Sequence, residues 1–528
     1  MAKTLRTAPP EAPDRRRWWV LVAMVFGLFM PMLDNLVVNV ALPTIQRDLG
    51  SGVSGLQWII DAYTLTFASF MLTGGALGDL YGRKRFFLTG LGVFVLGSLA
   101  CGLSQDLGQL IAFRAVQGLG AAMLLPGTLS IITATFTGKE RGAAIGIWAA
   151  MSGLAIAIGP LIGGWLVEHV SWQSIFFVNV PIGIVGATLA LIVVRESRDQ
   201  TQSRRLDPPG LATATSGLFF LVYALIEGND RGWTDGLILG AFGLAAVLLA
   251  TFFVIESRRE YPMLPLSFFR IPTFAAANVV AASVFFALFG STFFLSLYLQ
   301  NVRGYSPVGA GVRLFPFTVM ILLIAPVAGR LSDRFGSRWF MTFGTLTLAA
   351  GLALVLRSQP DSSYLTVILP SMIVMGAGMA TTMSPMTAAV MASVPVQRAG
   401  VASAATNTSR ELGGVFGIAL LGAVVTSAFK SSFVTNLVGA GLPSGVAHRI
   451  VDRAGSAAAS GTIDPKAAPP GTSPRTIHVV VDAAHRSFVH AMHAGLLIAI
   501  GFALLGSVVS VVFVRSHVGE TQGAASGH

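Results

Sequence analysis

The sequence predicts an all-α protein that passes many times through a membrane, and three observations predict it. Of 528 residues, 53% are hydrophobic and 11% are charged, against about 25% charged in an ordinary soluble protein. The apolar residues gather into runs long enough to cross roughly 30 Å of hydrocarbon, which takes about 20 helical residues. The charged residues fall mostly in the gaps between those runs, the basic ones in alternate gaps. Fifty-nine glycines and 25 prolines in so apolar a chain suit closely packed, locally broken membrane helices.

The runs follow in order. Arg15, Arg16 and Arg17 precede an apolar stretch, Trp18 to Pro43, that is too long for a signal-peptide core, so span one is an uncleaved crossing at 18–41. Span two, 57–77, begins after Gly50-Ser51-Gly52 and stops at Asp79. Span three, 86–104, follows Arg83-Lys84-Arg85, and span four, 109–134, ends before Lys139. Spans five, 142–167, and six, 175–194, are parted by Glu168-His169 and closed by Arg195. Spans seven, 210–226, and eight, 236–256, are separated by Glu227 to Asp235. Spans nine to thirteen, 273–299, 309–329, 339–357, 364–390 and 401–426, are divided by Arg303, by Arg330 to Arg338, by Pro360-Asp361 and by Arg398. The last crossing is 492–514, giving fourteen, with a long outer loop at 430–490.

Charge supports this count and orients it, because basic residues of short loops stay cytoplasmic. With the N-terminus inside, inner segments hold 22 Lys and Arg, and outer short loops hold 4: Arg47, Arg231, Arg303 and Arg357. The six basic residues of 430–490 do not count, since long loops cross regardless of charge. The net charge of +11 therefore reflects topology rather than a nucleic-acid partner. A lone Cys101 allows no disulfide framework and no Cys-based metal site. Within 430–490, His478, His485 and His490, with His493 just beyond, form no recognised ligand set, and 454–474 reads as a flexible linker.

Gly74 to Phe86, GGALGDLYGRKRF, is repeated 254 residues later as Ala328 to Phe340, AGRLSDRFGSRWF. Both lie in a short inner loop after the second span of a half. The chain thus divides into a cytoplasmic arm (1–17), a six-helix bundle (18–194), a linker with two inserted membrane helices (195–257), a second six-helix bundle that includes the outer loop (258–514), and a cytoplasmic tail (515–528). Parallel six-span halves about a central cavity are a transporter architecture.

At these residues the chain resembles the major facilitator superfamily, in its 14-span drug:proton antiporter branch of the quaternary-ammonium and multidrug efflux type. The markers are Leu33-Asp34 with Val37 to Pro43 in span one, and the loop motif with Gly75, Gly78, Asp79, Gly82, Arg83 and Lys84. With them stand Arg114-x-x-Gln117-Gly118 in span four and Gly159-Pro160-x-x-Gly163-Gly164 in span five. The last marks exporters. Ala155 stands where the family pattern often has Gly, and Glu411 where it often has Gln. The resemblance implies an antiporter of lipophilic, cationic molecules such as drugs and antibiotics, in the plasma membrane, with both termini cytoplasmic. It also implies that Asp79 latches the inner side by meeting the positive end of span thirteen near Gly400.

Ionisable groups inside a membrane cost at least ~2.5 kcal/mol each and persist mostly for function. Asp34, Asp61 and Arg114 lie at depths of roughly 11, 6 and 8 Å from the outer side at ~1.5 Å per residue, so all three are expected to meet. A carboxylate out of water favours its protonated form and a guanidinium beside it the ionised form, so a moving Arg loads and releases a proton. Asp34 is assigned as the principal proton site, Asp61 as a second and Arg114 as the switch. The structural alternative is a fixed salt bridge. Arg410 and Glu411 sit near mid-membrane in span thirteen, about 100° apart on the helix. Glu411 is read as a coupling site or a structural partner, and Arg410 as a cavity residue. Phe285, Phe289 and Phe293 in span nine, and Met372, Met375, Met379, Met383 and Met386 in span twelve, form stripes. With Gln117 they line a promiscuous cavity, or the stripes face lipid or serve as core packing.

No phosphate loop, HExxH or nucleophile elbow occurs, so the chain reads as a monomeric transporter in the lipid bilayer, moving a small molecule against protons, and not as an enzyme. No cofactor and no metal are expected. Export of one endogenous metabolite, amino acid or lipid remains open, as does a membrane sensor that no longer transports.

Overall fold

The computed structural model describes residues 16–136, 138–197, 207–259, 262, 266–394, 399–461 and 474–515. The first half comprises α1 (Arg16–Leu49), α2 (Val53–Tyr81), α3 (Arg83–Gly102), α4 (Leu107–Thr135), α5 (Gly138–His169), α6 (Ser174–Phe177) and α7 (Asn179–Val193). Then come α8 (Pro208–Arg231) and α9 (Gly236–Arg258). The second half comprises α10 (Pro272–Leu297), α11 (Pro307–Phe335), α12 (Ser337–Val355), α13 (Leu369–Ala392), α14 (Ala399–Gly439), α15 (Ser444–Ala458) and α16 (Pro474–Phe513). Twelve crossings are long and apolar enough to span a membrane, counting α6 with α7 as one. Helices α2 and α5, packed along α4 and α1, bring the traversals among the described residues to fourteen.

The packing is duplicated as the sequence repeat requires. In the first half α1 lies against α5 and α7, and α4 against α2 and α3; in the second, α10 lies against α14 and α16, and α13 against α11 and α12. The repeated loop motif turns the chain between helices through Gly82 (φ +118°) and Gly336 (φ +85°), where a side chain would be strained. Helix starts are capped by acceptors in the sequence: Asp106 takes the Gln109 amide, Asp235 that of Leu237, and Ser306 that of Gly309.

Two expectations change. Residues 430–490 are not one long loop: α14 runs on to Gly439, α15 is an amphipathic helix, and α16 begins at Pro474. Apolarity ends where the membrane ends, but helix propensity does not, and α14 stops at the turn through Gly441 (φ +93°) and Pro443. Of the linker 454–474, residues 462–473 lie outside the described residues. Span six is broken at Val178 into α6 and α7, near Pro181, which has no amide hydrogen to give.

The halves meet along two related seams, α5 with α11 and α2 with α14, and the hydrogen bonds between them, among the described residues, lie at the end away from the N-terminus. Pro43 cannot donate to Asn39 O, and the Ser296 hydroxyl of α10 donates to that carbonyl instead, at 2.8 Å. The Gln300 amide reaches Val40 O at 2.9 Å, and Gln57 of α2 reaches Ile418 O of α14 at 2.8 Å. Glu168, at the end of α5, accepts the Val308 amide at the start of α11. Gln46 donates to Ser460, which follows α15. The inserted α8 braces the second seam: Glu227 accepts from Trp58 of α2, while Asp230 accepts from Ser54 of α2 and lies 3.9 Å from Lys430 of α14.

A Cβ added at Gly311 would fall 2.2 Å from Pro160 O. Gly311→Val is therefore expected to weaken the closed α5–α11 seam by about 1–3 kcal/mol. Labelling of a Val308→Cys reporter by a membrane-impermeant maleimide should rise several-fold, and Cys101, which is buried, does not compete.

Candidate functional site

Arg114 and Gln117 are three residues apart on α4 and so share a face. The next residue, Gly118, is bare because a Cβ there would lie 2.3 Å from Tyr63 O of α2. That close approach lets the Arg114 guanidinium span α2 and α1. Its Nε donates to Ile59 O at 3.0 Å, and Nη1 reaches Asp34 Oδ2 at 2.5 Å and Gln117 Oε1 at 2.8 Å. The guanidinium carbon lies 4.2 Å from the centre of the Tyr63 ring. Asp34 Oδ1 accepts from Gln117 Nε2 at 2.8 Å and from Asn179 Nδ2 at 3.0 Å. Ser98 of α3 ties the amides together, accepting from both and donating to Phe176 O. Arg114, Gln117 and Asn179 are wholly buried and Asp34 is 2% exposed. The result is an ion pair sealed from water and held by α1, α2, α3, α4 and the α6–α7 break.

Asp61 does not join it. It is fully buried, and neither carboxylate oxygen has a hydrogen-bond partner among the described residues. The reason is helical geometry: Tyr63, two residues on, faces Arg114, which turns Asp61 about 200° away. Gln57 and Leu65, one turn to either side of Asp61, both pack on α14. The expected meeting of three ionisable groups is thus a meeting of two, with Asp61 on the seam stripe.

Asn179, Ser98 and Tyr63 were not singled out by sequence. Asn179 carried a signal, being a polar residue inside apolar span six, two residues before Pro181. Ser98 and Tyr63 carried none, since neither is costly enough in a membrane helix to stand out.

The exporter motif divides its glycines between two helices. Added Cβ atoms at Gly159 and Gly163 would meet Leu36 and Val37 of α1, whereas at Gly164 the clash is with Pro307 and Val308 of α11 in the other half. In the loop motif, the amides of Lys84 and Arg85 donate to Glu196, which thereby caps α3, and Lys84 Nζ reaches Leu191 O. Arg83 donates its amide to Ser197 O, and Gly78 lies against Phe86. Gly75 and Asp79 stand in the last turns of α2; their side-chain surroundings, and the expected latch to Gly400, lie outside the described residues.

In the second half, Arg410 donates to Asn407 Oδ1 at 3.1 Å and to Thr387 Oγ1 of α13 at 2.9 Å, and its guanidinium carbon is 5.7 Å from the Phe285 ring. Glu411 is buried, with Oε2 unpartnered, and no ion pair joins it to Arg410. Phe285 and Phe289 are 5.5 Å apart and partly exposed, while Phe293 is buried against Phe294. Met372, Met375 and Met379 are buried in the core with Met386, Met375 lying against Gly351 of α12, and Met383 is partly exposed. Those three methionines therefore pack within the bundle.

The chain matches the Major Facilitator Superfamily model over residues 24–418. It is 37% identical over 492 residues to the multidrug resistance protein Stp of Mycobacterium tuberculosis, covering 92% of this chain and 90% of that one. To the tetracenomycin C resistance and export protein of Streptomyces glaucescens it is 34% identical over 503 residues, covering 95% and 93%. To the methylenomycin A resistance protein of Streptomyces coelicolor it is 39% identical over 412 residues, covering 77% and 85%. Its fold is shared with the inward-facing, unoccupied crystal structure of a bacterial homolog of the human lysosomal transporter Spinster, with a TM-score of 0.60, 19% identity, and 96% and 100% of the two chains covered. With its fourteen helical traversals and duplicated halves, the chain belongs to the Major Facilitator Superfamily.

Proposed function

We propose that this protein is a proton-coupled exporter of drugs, antibiotics and other lipophilic small molecules, cations included, across the plasma membrane, with both termini cytoplasmic. It uses no cofactor and catalyses no covalent reaction. The observation that carries the reading is the sealed Asp34–Arg114 pair. The relatives named for multidrug and antibiotic resistance support the substrate class. With the basic loops on the cytoplasmic side, the tied end of the bundle is the outer one, and the conformation is closed outward.

In this state Arg114 and Asp34 are paired. Opening the outer seams shifts the helices that carry the pair; when Arg114 withdraws, an uncompensated carboxylate in a dry site takes a proton, and the return of Arg114 releases it to the other side. Asp61 is the second proton site: it is buried on the seam, and neither carboxylate oxygen has a hydrogen-bond partner among the described residues. Glu411 is a further coupling carboxylate, buried with Oε2 unpartnered. A proton falling through about 150 mV supplies roughly 3.5 kcal/mol, enough to sustain a substrate gradient of about 300-fold. Asp79 closes the inner side in the opposite state.

A narrower reading, one dedicated substrate, is favoured by the relatives named for single antibiotics. Proton movement in inside-out vesicles under an imposed pH gradient decides between them. Alkalinisation on adding several unrelated compounds marks a multidrug antiporter; a response to one alone marks the narrow exporter.

Asp34→Asn leaves Arg114 buried without its counter-charge, at about 3–5 kcal/mol, and should abolish substrate-driven alkalinisation in vesicles that still contain the protein. Retained coupling overturns the central assignment. Asn179→Ala removes one of three donors to Asp34, worth about 1.5–3 kcal/mol for a bond to a charge. It is expected to move the pH at which coupling is half-maximal while sparing protein level, which a purely structural asparagine would not do.

A further inference from the structure

We infer that Arg410, with Phe285 and Phe289, forms a subsite for the anionic or phenolic oxygen of an aromatic substrate; the inference rests on the export reading and names a substrate class for it. A guanidinium inside a membrane persists where something answers its charge. Arg114 has Asp34. Arg410 has no carboxylate within ion-pair distance among the described residues, only the neutral oxygens of Asn407 and Thr387, and its buried Nε has no partner. The adjacent Glu411 lies about 100° round the helix. One turn beyond it on the same stripe, Val415 packs with Leu65 of α2. The two charges therefore look in different directions, Glu411 into the α2 seam and Arg410 toward α10 and α13.

Asp34 is unavailable to a cationic ligand, since three donors occupy it and it is sealed. On the α10–α13–α14 face the side chain presented is the cationic one, and Glu411 acts on it through space without forming an ion pair. Beside it stands an aromatic wall: Phe285 is 5.7 Å from the guanidinium carbon, Phe289 is 5.5 Å from Phe285, and Phe289 also rests on Gly414, one turn beyond Arg410. The guanidinium fork matches a carboxylate, sulfonate or phenolate, and a planar ring system fits against the two phenylalanines. Thr387 and Asn407 are neutral partners that such an anion displaces without stranding a charge.

The test is binding to the purified full-length protein by fluorescence polarisation, with fluorescein as the anionic aromatic probe and ethidium as the cationic one. The parent should bind fluorescein, and Arg410→Gln should weaken that binding about tenfold or more without weakening ethidium. Thr387→Glu gives Arg410 a built-in carboxylate, so the charge is answered and the fold is spared; it too should lose fluorescein binding. Equal fluorescein affinity in the parent and in either monodisperse variant overturns the inference, as does a parent that binds ethidium alone. Proton-coupled export of cations and neutral antibiotics would stand in that case. Arg410-dependent fluorescein binding with no proton movement for any compound would instead leave the subsite and overturn proton-coupled export.

Discussion

The Asp34–Arg114 ion pair is the interaction on which the first half depends. Two charges taken out of water must answer each other and gather hydrogen bonds; both oxygens of Asp34 do so, while Arg114 Nη2 and Asn179 Oδ1 stay unpartnered among the described residues, and that demand explains the local sequence. Gln117 and Asn179 supply the donors to the second oxygen of Asp34, and Ser98 fixes both amides. Gly118 brings α4 onto α2, while Gly97 and Gly120 bring α3 onto α4. Helix-breaking chemistry near Pro181 sets Asn179 at the head of α7, within reach. The motif Arg-x-x-Gln-Gly is thus one device: two polar side chains on one face and the bare position that lets them arrive.

The seams between the halves are built differently. Apart from Gln46–Ser460, they join side chains of one half to backbone groups of the other, with Pro43 releasing a carbonyl for Ser296 and bare glycines allowing helices to touch at backbone distance. Neutral hydrogen bonds of this kind contribute about 1 kcal/mol each. An interface of several such bonds holds one end of the bundle shut and still parts at modest cost, unlike the buried pair. The inserted α8 lies along one seam only, so the two extra helices make an otherwise symmetric closure lopsided.

The duplication is one of fold and not of charge. Gly82 and Gly336 occupy the same turn with the same left-handed backbone, and the helices pair in the same order. Yet the first half neutralises its arginine internally and the second leaves Arg410 facing neutral oxygens. Two copies of one bundle thus carry different charge arrangements on the same packing.

The sequence by itself determined the number and order of the crossings, the duplicated halves and the identity of the membrane-buried charges, because hydrophobic thickness, left-handed glycine turns and the cost of buried ions act locally along the chain. Only the tertiary structure decided which charges meet. Depth placed Asp34, Asp61 and Arg114 together, but rotation about the α2 axis turned Asp61 into a seam, and a linear depth carries no azimuth. It likewise buried Met372, Met375 and Met379 in packing, since a stripe at helical spacing does not say which neighbour it faces. The outer stretch 430–490 showed the converse limit: hydropathy reports where a helix leaves the membrane, whereas backbone hydrogen bonds and turn residues decide where it ends.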